Sequence, residues 1–546
     1  MTSRIPANIS EISFDVIIIG AGINGAGIAR DAAMRGLQVL VLDKGDVGGG
    51  TSSWSSRLIH GGLRYLEHAE LGLVRESLRE RETLFRIAPH LVKPLPILLP
   101  IYEHAVRSAL TIRAGMIAYD MLSFDKSLPR HRMLTRDEAI VKAPGLNRNG
   151  LRAAAIYYDA QVEFAERLVV ENVLSAQAYG AIVITYARVQ KLSGQFMDSS
   201  RVVEFIDTRT AAALAARGRI IVNAAGPWVD EVLTTGERTS EHLIGGTKGS
   251  HIIVNSFAGA PSTALYVEAE SDKRPFFIIP WDGKYLIGTT DIRFTGDLDH
   301  VEIEDEEIEY LLRETNRVIS PARLLRDAVL YTYAGVRPLP YTENKNEQGI
   351  TRRHFIRESR GQEGLLSIVG GKLTTYRSLA EQTVNLIGQK LGKNLPRCST
   401  AGSALPGAYT DHSFPEEFKS DSGLSLQTRE RLLRVYGARA QEVVKLTAQD
   451  EWLAKNFDEE TEAIAAELIF SFRQEMAETL ADCLLRRTMV GLNSSVGIGA
   501  DKTAAAIAQK YLGWSETRVQ EELAAYRLYV KRFHPRILSR RDLSPT

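Results

Sequence analysis

A glycine-rich turn between a predicted strand and a predicted helix constrains the fold of this chain more than any other feature. Residues 14–19 are a short β-branched run, GAGING follows at 20–25, and residues 23–35 predict a helix rich in alanine and glycine. Residues 38–42 (QVLVL) predict a second buried strand. This order of strand, turn, helix and strand is a βαβ unit, which predicts the opening of a doubly wound α/β sheet.

Gly20, Gly22 and Gly25 form the pattern GxGxxG. In such a turn the first glycine permits a tight bend, the second lets the backbone approach a pyrophosphate, and the third lets helix and strand pack closely. The helix N-terminus offers free N–H groups to the phosphates. Asp43 lies 23 residues after Gly20, at the end of the second predicted strand, where an acid accepts hydrogen bonds from ribose hydroxyls. The pattern predicts a dinucleotide site, and its N-terminal position together with later glycine turns favours FAD over NAD.

The length and the distribution of strand signals predict more than one domain. A chain of 546 residues exceeds what one hydrophobic core usually organises. Short apolar strands run into glycine turns at 220–226, 285–288 and 365–371, and strand signals fade after about residue 405. We expect an α/β region over residues 1–400 and a helical C-terminal domain over residues 405–546, joined by a linker rich in Pro, Ser and Gly at 396–407.

Charge and cysteine usage exclude several classes of function. The chain has 67 basic and 67 acidic side chains, whereas nucleic-acid binders normally carry a basic excess. Its two cysteines, Cys398 and Cys483, belong to no CxxC or Cys/His cluster, so we expect neither a disulfide framework nor a metal site. The N-terminus has no apolar signal region, and no apolar stretch reaches 18 residues, so we expect no secretory signal and no membrane-spanning helix.

Several longer motifs carry a resemblance to a known family. They are TSS at 51–53, IHGGLRYLEH at 59–68, NAAGPW at 223–228, KGSH at 248–251, IPW at 279–281, GTTD at 288–291, GVRP at 335–338 and GGKLTTYR at 370–377. In these motifs and in their order the chain resembles the FAD-dependent glycerol-3-phosphate dehydrogenases. One departure is visible at 161–165 (QVEFA), which is less acidic than the family's pattern.

The resemblance implies a fold and an activity. The implied fold is α/β: a Rossmann-like FAD-binding domain with a β-rich substrate (cap) domain inserted, plus an all-helical C-terminal domain. The implied reaction is oxidation of glycerol 3-phosphate to dihydroxyacetone phosphate, with a hydride passed to FAD and electrons passed to a membrane quinone. The alternatives are an oxidase that uses dioxygen, an amino-acid oxidase, and a flavin-holding membrane or partner-binding module without turnover.

The resemblance also places seven residues at or near the substrate. They are Arg64, Tyr65, His251, Thr289, Arg337, Arg352 and Lys372. Phosphate recognition requires arginine forks and lysine point charges, and four of the seven are cationic. Arg64 and Tyr65 are expected to orient the substrate against the flavin ring.

Four of these residues are predicted to be catalytic: His251, Arg337, Lys372 and Arg64. We assign Arg337, Arg352 and Lys372 to the phosphate and the substrate oxygens. An alcohol proton does not leave unaided at neutral pH, so a base or a strong positive field is needed. His251 is the predicted base because imidazole titrates closest to working pH.

The same motifs supply the predicted cofactor contacts. Besides the glycine turn and Asp43, they are Thr51, Ser52, Ser53, Ala225, Gly226, Gly370, Gly371, Lys372, Leu373 and Thr374. Ser52 and Ser53 are expected to hydrogen-bond the cofactor. Gly370 and Gly371 are expected to bring backbone N–H groups to the pyrimidine end of the flavin, where they would stabilise the anionic reduced ring.

Residues 93–132 predict contact with a membrane surface. Six basic side chains accompany three acidic ones, and Val106, Leu110, Ile117 and Met121 recur at helical spacing. An interfacial amphipathic helix has this composition, although a core-facing helix with a solvated basic face has it too. The predicted partners are therefore glycerol 3-phosphate, a membrane quinone and an anionic lipid surface, and a homodimer is left open. The predicted location is peripheral, on the cytoplasmic side of the membrane.

Overall fold

The computed structural model describes residues 4–103, 105–194, 200–236, 241–343, 350–359, 362–409, 411, 413–420 and 423–541. The side chains of Arg64, His68 and residues 539–541 lie outside this description.

The strands are numbered in chain order. They are β1 Ser13–Ile19, β2 Val39–Leu42, β3 Leu58–Ile59, β4 Val92–Tyr102, β5 Arg132–Thr135, β6 Leu151–Val162, β7 Ile182–Ile184, β8 Ala187–Ser193, β9 Arg201–Asp207, β10 Ala213–Asn223, β11 Thr247–Val254, β12 Ala264–Glu268, β13 Pro275–Trp281, β14 Lys284–Gly288, β15 Ile292–Arg293, β16 Val329–Arg337, β17 Phe355–Glu358, β18 Leu365–Val369, β19 Asn456–Asp458 and β20 Ala463–Ile464.

The α-helices are numbered in the same way. They are α1 Ile23–Met34, α2 Leu71–Ile87, α3 Ala109–Leu122, α4 Arg136–Lys142, α5 Ala165–Ala178, α6 Val229–Thr234, α7 Asp305–Val318, α8 Tyr376–Leu391, α9 Phe414–Ser420, α10 Leu426–Tyr436, α11 Ala440–Thr447, α12 Ala465–Gln474, α13 Leu480–Asp482, α14 Ala500–Leu512, α15 Glu516–Val530 and α16 Arg536–Arg541.

The first sheet has the strand order β17-β18-β10-β1-β2-β7, with β9 beside β10 and β8 beside β9. Strands β18, β10, β1, β2 and β7 run parallel, and the ends Ile19, Leu42 and Asn223 lie side by side. Because parallel strands end at one edge, the turns after β1, β2, β10 and β18 meet there. The motifs at 20–25, 223–228 and 370–377 are therefore neighbours in space.

Helices α1, α5 and α8 cover one face of this sheet. Their apolar side chains share one buried cluster with those of β1 and β2. Helices α1 and α8 pack closely, since a Cβ added at Gly27 would lie 2.6 Å from the ring of Tyr376. A second buried cluster covers the opposite face with β8, β9 and α6. Both faces are buried, as the uninterrupted apolar strands predict.

The second sheet holds the predicted substrate region. Its order is β15-β11-β14-β13-β12-β4-β6-β3, with β16 beside β11 and β5 beside β6. All eight residues of β11 are buried. In the antiparallel pairing of β11, His251 lies opposite Gly288 on one side and Tyr333 on the other, and Thr247 lies opposite Arg337. This register brings the motifs KGSH, GTTD and GVRP together.

The C-terminal domain packs against the second sheet. Its helices α9 to α16 share one apolar cluster with Tyr331 and Tyr333 of β16. The expected fold class is confirmed, with one addition: β19 and β20 form a small hairpin within this helical domain. The segment 93–132 differs from the single helix that we considered. Residues 92–102 form β4 inside the second sheet, and only Ala109–Leu122 is helical.

Candidate functional site

A cavity of about 1100 Å³ runs between the two sheets and the C-terminal domain. Gly20, Gly22 and Asp43 of the predicted nucleotide site line this cavity, and Arg337 and Lys372 of the predicted substrate site line it too. Most of the predicted site residues thus border a single space.

The glycine turn has the geometry that its sequence predicts. Gly20 has φ +104°, a conformation that L side chains rarely adopt, and a Cβ at Gly25 would overlap the carbonyl oxygen of Gly20. A Cβ at Gly22 would meet only Ser52 Oγ, at 3.4 Å. Gly20 and Gly25 are therefore required by the turn itself, whereas Gly22 keeps space open in the cavity.

Asp43 and the 51–53 segment surround this turn. Asp43 accepts hydrogen bonds from the amides of Ala21 (2.6 Å) and Gly45 (2.8 Å), and burial raises the pKa of its carboxyl group. Ser52 Oγ accepts from the Ile23 amide at 3.0 Å. Ser53 differs from the expectation: it is fully buried, its hydroxyl donates to the Gly48 carbonyl at 2.7 Å, and it lies behind the cavity lining.

These residues fit an extended dinucleotide. A Cβ at Gly226 would meet nothing within 4 Å, so the second turn also leaves room along the cavity. Ala225, Gly226, Gly370, Gly371, Leu373 and Thr374 all line the same space. Thr51 lines it as well, and its hydroxyl donates to the Val336 carbonyl at 2.6 Å, which ties the nucleotide loop to the second sheet. FAD, whose two halves need a long cleft with a pyrophosphate turn, matches this arrangement.

Lys372 lies where the GGKLTTYR motif borders the substrate end. Its ammonium group donates to Ser77 Oγ at 2.7 Å and sits 4.5 Å from the ring centroid of Tyr65. Burial lowers the pKa of Lys372 to about 7, and Arg352 acts in the same direction. Lys372 is therefore a cation that can lose its proton near neutral pH.

Arg337 and Arg352 meet at a single carboxylate. Arg337 donates from Nη1 to Asp291 Oδ1 (3.1 Å) and from Nη2 to Thr289 Oγ1 (2.9 Å). Arg352 donates from Nη2 to Asp291 Oδ2 (3.0 Å). Burial alone would raise the pKa of Asp291, but the two guanidinium groups lower it below its usual value. Three of the seven predicted substrate residues, Thr289, Arg337 and Arg352, thus form one cluster.

His251 lies behind Ser56 and does not itself line the cavity. Its Nε2 is 2.9 Å from Ser56 Oγ, and its ring is 4.9 Å from that of Tyr333, centroid to centroid. Ser56 lines the cavity. Burial, with Arg337 and Arg57, lowers the pKa of His251 well below its usual value, so the imidazole is neutral at working pH. The expectation of an ordinary imidazole pKa is wrong for this position, while the role of His251 as the base stays a prediction.

Tyr65 and Arg64 are the two remaining predicted substrate residues. Tyr65 lines the cavity beside Lys372. The side chain of Arg64 lies outside the described residues, so its assignment stays a prediction.

Sequence reasoning missed several residues of this cavity. Arg274 lines it, and so does Asp291, although the latter stands in the GTTD motif. Arg274 precedes the IPW motif on β13, and only the sheet shows that it faces the GTTD turn. The C-terminal domain contributes Arg486 and Phe533, which no local motif marks.

Comparisons with known proteins show the family to which both parts of the chain belong. Residues 15–377 match the family of FAD-dependent oxidoreductases, and residues 398–519 match the C-terminal domain of α-glycerophosphate oxidase. A glycerol-3-phosphate dehydrogenase of Synechocystis sp. is 44% identical over 96% of this chain and 97% of its own length. An aerobic glycerol-3-phosphate dehydrogenase of Staphylococcus aureus is 32% identical over 89% of this chain and 88% of its own.

A solved structure is similar over nearly the whole chain. It is the glycerol-3-phosphate dehydrogenase from Bacillus halodurans complexed with FAD, with a TM-score of 0.79 and 28% identity, covering 96% of both chains. The likeness includes the helical C-terminal domain.

Proposed function

Because this chain belongs to the FAD-dependent glycerol-3-phosphate dehydrogenase and oxidase family, we propose that it oxidises glycerol 3-phosphate to dihydroxyacetone phosphate and delivers the electrons to a membrane quinone. The observation that carries the proposal is the position of the Arg337–Asp291–Arg352 cluster. It opens into the same cavity as the glycine turn, so an anionic substrate and a dinucleotide would share one space.

The cations of the cavity suit the substrate's phosphate. Arg337 and Arg352 are planar forks, and Lys372 adds a point charge nearby. A buried guanidinium attracts an anion more strongly than one in water because the local dielectric is lower. The phosphate would therefore anchor one end of the substrate and leave its secondary alcohol free for oxidation.

Removal of the alcohol proton has two candidate acceptors in this chain. His251 is neutral, which is the form that accepts a proton, and it reaches the cavity through the Ser56 hydroxyl. Lys372, with a pKa of about 7, borders the cavity directly. Bound FAD would accept the hydride. We propose His251 as the base, relayed by Ser56, with Lys372 as the second candidate.

The central experiment follows the bound flavin without oxygen. Adding glycerol 3-phosphate to the anaerobic holoenzyme should bleach the flavin absorbance, since hydride transfer reduces the ring. Glycerol 2-phosphate, which carries the phosphate but no secondary alcohol, is the matched control and should not bleach it. A flavin that stays oxidised with glycerol 3-phosphate contradicts the proposed activity.

We also propose that α3 rests on an anionic lipid surface at the cytoplasmic side of the membrane. On α3, Leu110, Ile117 and Met121 are between 44% and 77% exposed. Val106, which precedes the helix, is 65% exposed, and Phe124, which follows it, is 79% exposed. The opposite side of α3, with Ile112, Met116 and Tyr119, packs into the protein. The exposed apolar side chains therefore do not belong to the hydrophobic core, and their exposure supports binding of this segment at a membrane surface.

Basic side chains accompany these apolar side chains. Arg113 and Arg130 are exposed close to it in the chain, which suits attraction to anionic headgroups. No helix among the described residues is long and apolar enough to cross a bilayer. A surface-bound enzyme would meet a quinone dissolved in the bilayer.

Dioxygen is the alternative electron acceptor. The relatives named above are dehydrogenases, whereas the matched C-terminal domain model is named for an oxidase. Peroxide yield in aerobic turnover separates the two: a quinone-linked enzyme reduces an added quinone with little peroxide. One peroxide per substrate, with no quinone reduction, contradicts the quinone proposal.

A further inference from the structure

Asp291 joins the two guanidinium groups assigned to phosphate, and a third guanidinium, that of Arg274, reaches the same residue from just before β13. Arg274 donates from Nη1 to the backbone carbonyl oxygen of Asp291. Arg274, Asp291, Arg337 and Arg352 all line the cavity. The turn after β14 therefore gathers three arginines around Asp291, two at its carboxylate and one at its backbone carbonyl.

This turn is fixed from behind by a buried network. Thr290 Oγ1 donates to Glu307 Oε1 at 2.6 Å, and Lys248 Nζ lies 2.9 Å from Glu307 Oε2. Thr290, Glu307 and Lys248 are buried. A carboxylate on a turn held in this way keeps its place when a ligand enters, so Asp291 is suited to orient the arginines beside it.

The charges around the turn leave a positive excess. Three guanidinium groups face Asp291, and Asp272, 3.6 Å from Arg274 Nε, offsets part of the charge of Arg274. Burial, with Arg352 and Arg274, lowers the pKa of Arg337 in spite of Asp291, so these cations lie within electrostatic reach of one another. One arginine fork pairs with both oxygens of a carboxylate ligand. A phosphate dianion has three terminal oxygens, so it can accept hydrogen bonds from more than one guanidinium group.

We propose that Arg274 supplies a third guanidinium to the phosphate subsite, and that Asp291 is the positioning residue that aims Arg337 and Arg352 at the phosphate. The inference rests on the proposed function and deepens it: it names the residues that select a phosphate dianion over a carboxylate or an uncharged polyol.

Binding of inorganic phosphate to the holoenzyme tests Arg274 without turnover. Phosphate is titrated while the absorbance of the bound flavin is followed. Arg274→Gln should weaken binding about tenfold, the effect of losing one charge-assisted hydrogen bond. Arg293→Gln is the matched control, because Arg293 also donates to a backbone carbonyl, that of Gly245 just before β11 at 3.3 Å, and lies outside the cavity lining. Equal phosphate affinity in the two variants overturns the assignment of Arg274.

If Arg274→Gln does not retain FAD, the conservative variant Arg274→Lys is titrated with phosphate in its place. Arg274→Lys keeps the charge and loses the fork, so it should weaken phosphate binding about threefold, less than the full hydrogen-bond loss. Wild-type affinity in Arg274→Lys then overturns the third-guanidinium assignment.

Asp291→Asn separates positioning from simple charge balance. If Asp291 only neutralised the arginines, its removal would strengthen attraction to phosphate and raise activity with glycerol 3-phosphate. A positioning role predicts the opposite: the ratio of glycerol 3-phosphate to glycerol activity falls about tenfold, because Arg337 and Arg352 keep their charges but lose part of their orientation toward the phosphate. A general structural lesion would lower both activities together. An unchanged or higher ratio overturns the role of Asp291.

Separate measurements decide the activity of the protein and the role of Arg274. A wild-type flavin that glycerol 3-phosphate does not bleach contradicts the proposed function. The phosphate titration of the Arg274 variants needs no turnover, so it still decides whether the subsite contains a third guanidinium.

Discussion

Asp46 and Arg487, which lie 441 positions apart in the chain, form a buried bidentate ion pair. Asp46 Oδ1 accepts from Nη2 of Arg487 at 2.8 Å, and Asp46 Oδ2 accepts from Nη1 at 2.8 Å. Arg486 donates to the same carboxylate at 2.6 Å. Asp46 stands three residues after Asp43 in the cofactor loop, and both arginines belong to the C-terminal domain. The helical domain thus holds the loop that lines the nucleotide end of the cavity.

Asp46→Ala should destabilise the protein strongly. It leaves the buried Arg487 without its bidentate carboxylate, while Arg486 keeps its pair with Asp482 at 2.8 Å. A broken buried pair costs about 3–5 kcal/mol of unfolding free energy. Urea unfolding of the holoprotein, followed by circular dichroism and flavin release, measures this. Arg152→Gln is the control: its pair with Glu103 is 65% and 47% exposed and should contribute less than about 1 kcal/mol. Similar losses in both variants would contradict the prediction.

Substitutions at Gly22 and at Gly25 should affect the protein in different ways. Gly22→Val leaves the turn intact, because the protein has room there, but places a side chain where the pyrophosphate would lie. We expect a folded protein that does not retain FAD. Gly25→Ala should instead disrupt the turn, since its Cβ overlaps the Gly20 carbonyl. Circular dichroism and FAD content distinguish these outcomes, and FAD retained by Gly22→Val refutes the placement of the pyrophosphate.

Arg337→Ala and Lys372→Ala should damage activity with the phosphate-bearing substrate selectively. Each should raise the activation free energy for glycerol 3-phosphate by about 2 kcal/mol or more, and much less for glycerol. The readout is the ratio of the two kcat/KM values in each variant. An unchanged ratio means that these cations do not bind the phosphate.

The pH dependence of KM for glycerol 3-phosphate gives a control for the role of Lys372. Since its pKa is about 7, its charge is lost as pH rises through that value, and KM for glycerol 3-phosphate should rise. Lys372→Arg stays charged and should flatten this rise.

His251→Ala should lower the rate with both glycerol 3-phosphate and glycerol, because both need the alcohol proton removed. Burial lowers the pKa of His251, so its neutral form persists below the usual imidazole value of about 6.5. Wild-type kcat/KM should therefore fall only at pH well below that value, as the imidazole gains a proton, and the variant should lack this limb. Near-normal turnover in His251→Ala would move the base to Lys372. Ser56→Ala should share the defect if the hydroxyl relays the proton.

The exposed apolar side chains of α3, together with Phe124 just after it, should control binding to lipid. Leu110→Ser combined with Phe124→Ser should reduce flotation with anionic vesicles and lower quinone-linked turnover, while activity with a soluble artificial acceptor persists. Leu528→Ser is the control, as Leu528 is 70% exposed but lies on α15. Binding should also weaken with salt. Equal flotation of all variants would refute this surface.

The sequence determined the parts of this protein that depend on neighbouring residues. The glycine turn needs only the order strand, glycines, helix and acid, so β1, α1, β2 and the role of Gly25 could be predicted locally. Burial of the parallel strands follows from their uninterrupted apolar runs. The substrate and cofactor residues in the motifs 288–291, 335–338 and 370–377 were predicted because these motifs resemble those of the family.

Only the tertiary structure decided how those motifs act on one another. The register of β11 brings His251 and the GTTD turn together, and the pKa of His251 depends on the burial and the arginines that result. Arg274 and Asp291 became site residues through sheet pairing, which no local pattern records. The Asp46–Arg487 pair joins positions 441 residues apart. Such long-range contacts depend on the packing of whole domains, because burial and charge separation are properties of the folded chain and not of its neighbouring residues.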